Sequence, residues 1–183
     1  MRTGLSGKFR LAMIAIAAGI AASCAPAFAQ TPAAPRATLP PALISRAEVR
    51  VIIDTAIAFA QQRKMLMAVV VTDHTGQMIS ADRIDGGSYR NIIFAEGKAF
   101  ASAVFQQTTE DLGALVKTRP DRYFGIQNMY PGKVYLVGGG VPLVLDGVLV
   151  GAVGIAGLPQ GVDEEAGRAG IAAWMKFRET MKK

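Results

Sequence analysis

Apolar residues dominate 138–157, GGGVPLVLDGVLVGAVGIAG, which contains one acid, Asp146, and no base. Val141, Leu143 and Leu145 alternate with Pro142, Val144 and Asp146, and a second apolar run extends from Val148 to Ile155. Asp-Gly between two apolar runs predicts a hairpin, because both residues tolerate the positive φ of a type I′ turn. The second strand is apolar on both faces and is therefore expected to be central in its sheet. Gly151, Gly154 and Gly157 on it mark places where a helix, a backbone or a ligand approaches closely, with tight helix-on-sheet packing as the plainer reading.

Upstream, Ser45-Arg46-Ala47-Glu48 fits a capping box, and Val49, Ile52, Ile53, Ala56, Ile57 and Ala60 follow at helical spacing. Met67 to Val71 and Gln77 to Asp82 read as two strands around the turn residues Asp73-His74-Thr75-Gly76. A helix over about 88–107 has Ile92, Ala95, Ala99, Ala103 and Val104 as its inner stripe. Lys98 falls at the edge of that stripe and reads as a lysine whose stem covers apolar surface. A short helix is expected from Thr109 to about Lys117, an irregular segment from Arg119 to Pro131, and a strand over 133–137. Acids at Asp163, Glu164 and Glu165 suit the N-terminus of a last helix, with Ala166, Ala169, Gly170, Ala173, Trp174 and Phe177 on its apolar face. The order of elements predicts an α+β single domain with a five-stranded antiparallel sheet flanked by helices.

The first 29 residues have the form of an export signal: Arg2, Lys8 and Arg10, the apolar run 11–22, and Ala27-Phe28-Ala29 before the cleavage point. The protein is accordingly expected in the periplasm or secreted, with no transmembrane span after cleavage. Lipidation of Cys24 is the lesser alternative, since Ala21 stands where a larger aliphatic residue is usual. Residues 30–43 form an Ala/Pro-rich tether expected to be disordered, and 44–183 the folded domain. Removing three bases leaves 17 Lys+Arg (20 − 3) against 14 Asp+Glu, a formal charge of +3 without a basic stripe, which argues against a nucleic-acid partner.

Chemistry is sparsely supplied. One histidine, one cysteine and no Gly-x-Ser-x-Gly elbow speak against nucleophilic hydrolysis and against a His-rich metal site. The triple glycine leads into a strand and lacks a following Gly-Lys-Ser/Thr, so it is neither a phosphate loop nor a dinucleotide fingerprint. Arg83, Asp85, Lys98, Asp163 and the amides of Gly139 and Gly140 are the polar groups that could converge on a carboxylate. His74 reads as a turn histidine, with ligation left open.

The ordered set Val71-Thr72-Asp73-His74-Thr75-Gly76, Arg83-Ile84-Asp85-Gly86-Gly87, Gly97-Lys98-Ala99 with Phe105, Gly139-Gly140-Val141-Pro142, Gly147, and 151–157 with Asp163 resembles the GlcG/HbpS family of haem-binding proteins. That family includes the C-terminal domain of PduO-type proteins. The chain departs from it at Ile84, Gly87 and Ala156, where methionine, alanine and serine are usual. The resemblance implies a three-layer, profilin-like arrangement, a homo-oligomer that in some members is an octamer, and haem as cofactor. With the export signal and the shortage of catalytic groups, it points to an exported haem carrier, sequestering agent or sensor accessory, and leaves open whether the chain also acts as an enzyme, since members of the family bind or degrade haem. His74, Tyr130 and Met129 are the candidate iron ligands, and Arg83 or Lys98 would meet the propionates. The alternative is an enzyme or binding module for a small organic acid that uses Arg83, Asp85 and Lys98.

Overall fold

The computed structural model describes residues 43–181. The expected export signal, Cys24 and nearly all of the expected tether lie outside the described residues. Helix α1 (Arg46–Gln62) begins with the expected capping box, the Ser45 side chain accepting from Glu48 N while the Glu48 carboxylate accepts from Ser45 N. Strands β1 (Ala68–Asp73) and β2 (Met78–Arg83) follow, then α2 (Arg90–Phe105), α3 (Thr109–Thr118) and α4 (Pro120–Met129). The chain closes with β3 (Gly140–Leu145), β4 (Val148–Ala156) and α5 (Val162–Met181).

The sheet has four antiparallel strands in the order β2-β1-β4-β3, not five. Residues 133–137, expected as the fifth, do not pair with a strand. Tyr135 N donates instead to Gly97 O of α2 at 3.2 Å, and Leu136 packs with Ala101, Leu112 and Ile126. The segment therefore fills a groove between helices, where alternating apolar residues serve as well as they would in a sheet. Residues 120–129, expected to be irregular, form α4, which starts on Pro120 at its first turn and buries only Ile126. One buried position in ten residues gives no helical stripe to read.

The hairpin stands as expected, with Asp146 and Gly147 at φ 49° and 79°. Strand β4 is an inner strand, and its odd and even positions face different layers. Val153 and Ile155 join Val69, Val71, Val141 and Leu143 under α1 and α5, with the buried Trp174. On the other face Val70 and Ala156 meet Ala95 and Ala99 of α2. There a Cβ on Gly154 would lie 2.6 Å from Ala99 N and clash with Ala95 O. The strand glycine thus serves helix-on-sheet packing, and it brings α2 close enough for its side chains to reach the end of β4.

Candidate functional site

Because α2 lies so close to β4, Lys98, one residue before Ala99, is carried into the interior. Its side chain is 3% exposed. Nζ donates to Ile155 O at 2.7 Å and to Asp163 Oδ2 at 2.6 Å. Lys98 is therefore a buried ion-paired lysine, not one whose ammonium reaches solvent. Asp163, in the first turn of α5, accepts through Oδ1 from Leu158 N at 2.9 Å, which fixes the loop between β4 and α5. Burial pushes the Asp163 carboxyl above its ordinary value, against the opposing pull of the Lys98 ammonium and the Leu158 amide.

Gly139 and Gly140 belong to the same constellation. Gly139 has φ 116°, and a Cβ on it would come 2.7 Å from Asp163 Cβ and 3.0 Å from Lys98 Nζ, so the ion pair and the glycine require each other. Gly139 O accepts from Ile155 N at 2.9 Å, and Gly140 N donates to Thr109 Oγ1 at 2.7 Å. Four of the sequence candidates, Lys98, Gly139, Gly140 and Asp163, are thus brought together.

Beside them opens a cleft of about 480 Å³ lined by the start of α2, by Tyr135, Val137 and Gly138, and by the β4–α5 loop. Phe94 and Tyr135 stack on one another with centroids 4.6 Å apart and planes 12° apart. Arg90 and Asn91 line the same cleft, Arg90 exposed and Asn91 buried. The sequence reading missed Asn91, Phe94 and Tyr135. Asn91 could have been found, since it precedes Ala95 by four residues and so places an amide on the apolar stripe of the helix.

Arg83 and Asp85 lie elsewhere. Both are exposed at the end of the edge strand β2 and in the turn after it, and Arg83 donates to Gly87 O. Neither lines the Lys98 cleft.

A second depression of about 320 Å³ lies on the outer face of α2, lined by Gly76, Met78, Ile93, Glu96, Phe100 and Lys133 among others, and none of the remaining candidates is in its lining. His74 is exposed in the β1–β2 turn, which Asp73 holds by accepting from Thr75 N, Thr75 Oγ1 and Gln77 N at 2.8, 2.7 and 3.0 Å. Gly76, at φ 86°, lets this turn press on Phe100, whose Cδ2 would be 2.8 Å from a Cβ there. Tyr130 packs edge-on against Phe100 at 5.5 Å and Phe105 at 5.9 Å, and Met129 is 74% exposed at the end of α4. Of the three candidates only Tyr130 contacts a residue of the groove wall, Phe100, while Met78, which the sequence reading passed over, lines the groove. Among the described residues there is no group of three or more His, Cys, Asp or Glu that could hold a metal ion, and no helix is long and apolar enough to cross a membrane.

Comparison with known proteins places this geometry. The corrinoid adenosyltransferase PduO of Salmonella typhimurium is 27% identical over 133 residues, which cover 73% of this chain and 39% of PduO. An uncharacterised 15.0 kDa protein of Citrobacter freundii is 29% identical over 87 residues, 48% of this chain and 61% of that protein. The chain thus spans less than two thirds of the length of either curated relative. Among solved structures, the PduOC–haem complex superposes with a TM-score of 0.66 at 26% identity, covering 72% of this chain and 94% of that one. Residues 44–172 match the family described as haem-degrading protein HbpS-like, and the chain belongs to that family.

Proposed function

We propose that this protein is an exported haem-binding protein that carries or sequesters haem as a homo-oligomer. Family membership and the likeness to a haem complex support haem as the ligand. The observation that carries the reading on this chain is the outer groove of α2. Haem iron takes imidazole, thioether and phenolate ligands; Met78 lines this groove, Tyr130 packs on its wall residue Phe100, His74 lies two residues before its wall residue Gly76, and Met129 precedes Tyr130 in the chain. Phe100 and Ile93 offer apolar walls for the macrocycle, and Lys133 offers a cation for a propionate. The residues present therefore fit the group.

Bound haem would supply an iron centre open to axial ligation, and the chain's part is to hold it. The Asp73 turn orients the His74 backbone, and Gly76 presses that turn onto Phe100. Met78 and Ile93 of the groove wall are exposed, on the edge strand β2 and on α2, with Tyr89 exposed just before α2, which supports self-association on this side. Export through residues 1–29 and assembly up to an octamer belong to the same proposal.

Haem titration of His74→Ala and Met78→Ala tests the ligand assignment. A changed Soret band in one variant identifies its side chain as an axial ligand. Unchanged spectra in both remove both residues from the iron and leave Tyr130 and Met129.

A further inference from the structure

The cleft beside Lys98 is chemically unlike the haem groove. Asn91 is 8% exposed, lines the cleft, and has no hydrogen-bond partner for its side-chain amide among the described residues. Its Nδ2 stands against Gly157, also on the cleft wall, so closely that a Cβ on Gly157 would clash with it. The Asn91 amide is not among the fully buried side-chain atoms that lack a partner, so it opens onto the cleft, where it can hydrogen-bond a ligand. Lys98 adds a second donor: an ammonium carries three N–H groups, and Ile155 O and Asp163 Oδ2 take two. Arg90, exposed at the rim, makes no ion pair among the described residues. The charged side chains lining the cleft are Arg90, Lys98 and Asp163, one positive charge in excess, and the stacked Phe94–Tyr135 pair gives it a flat apolar wall.

We propose that this cleft is a binding site for a small aromatic monocarboxylate, separate from the haem groove. The excess positive charge of Arg90 and Lys98 receives the carboxylate, the Asn91 amide hydrogen-bonds one of its oxygens, and the aromatic ring lies in the part of the cleft walled by Phe94 and Tyr135. Asp163 holds Lys98 in place and keeps the site from accumulating two uncompensated charges. The proposal does not rest on haem binding.

Isothermal titration of the purified chain with benzoate and with benzamide, its neutral counterpart of the same shape, tests the site. Saturable binding of one benzoate per chain is expected, with benzamide at least about tenfold weaker. Arg90→Gln, at an exposed position where folding is unaffected, should weaken benzoate by about tenfold, and Asn91→Leu by a similar factor. His74→Ala should leave benzoate affinity unchanged. Absence of benzoate binding at millimolar concentration overturns the proposal. So does equal binding of benzamide, an unaltered affinity in Arg90→Gln, or loss of benzoate binding in His74→Ala, which would place the ligand in the haem groove. The haem titration has its own outcome in each case, so the two readings fail separately.

Discussion

Trp174 Nε1 donates to Glu48 Oε1 at 3.0 Å, tying α5 to the first turn of α1 across 126 positions of sequence. The same carboxylate accepts from Arg178 and, through Oε2, from Ser45 N at 2.8 Å. One acid thus completes a helix cap and an interhelical bond beneath the sheet. Glu48→Ala strips all three donors of their acceptor and should cost about 2–3 kcal/mol in urea unfolding. Trp174→Phe, which removes one donor and little volume, should cost about 1–2 kcal/mol.

Glycine at 154 is required by contact and glycine at 125 is not. A Cβ at Gly154 would press on Ala95 and Ala99 of α2, whereas nothing lies within 4 Å of one at Gly125 in α4. Gly154→Ala should destabilise by about 1–3 kcal/mol through overpacking. Gly125→Ala should stabilise by about 0.5–1 kcal/mol through helix propensity. Thermal melts of the two variants should move in opposite directions.

These two glycines also mark what the sequence makes legible. The Asp146-Gly147 turn and the capping box at Ser45 are local, so each announces itself in a few adjacent residues, and Gly154 in an apolar strand signals close packing without naming its partners Ala95 and Ala99. Lys98 does not. Its place at the edge of an apolar stripe suits a lysine reaching for water, and the partner that holds it inside, Asp163, lies 65 positions away with no periodic relation to it. Residues 133–137 mislead for a similar reason, since the alternation of Val134 and Leu136 is the same whether the segment pairs with a strand or fills a groove beside α2 and α3. Arg83 and Asp85 look functional because they are polar residues near a turn, but nothing in the sequence tells which side of the sheet that turn faces.

The Lys98–Asp163 pair should behave as a buried unit. Lys98→Met leaves a carboxylate buried beside apolar groups and should cost about 3–5 kcal/mol. Adding Asp163→Asn keeps an acceptor for Leu158 N and removes the charge, so the double variant should be more stable than Lys98→Met alone. A double-mutant cycle measured by denaturant unfolding gives the coupling.

Acid stability should carry two opposed contributions. Burial alone would raise the Glu48 carboxyl, but hydrogen bonds from Ser45 and Trp174 and the charge of Arg178 hold it below its ordinary value of 4.5. Its contribution is therefore complete above about pH 4.5 and is lost as pH falls through the folded-state value. Asp163 has the opposite sign. With its carboxyl raised above 3.8, the folded state binds its proton more tightly than the unfolded chain, and that contribution fades as pH rises through the folded-state value. Glu48→Gln should flatten the acid limb of a stability–pH profile, and Asp163→Asn should steepen it.

The central claim is haem binding, and a haem titration of the chain from Gln30 to the C-terminus, followed from the Soret region into the visible, tests it most directly. A saturable Soret shift with a fixed stoichiometry per subunit is expected. A spectrum that stays that of free, aggregated haem throughout the titration would contradict it.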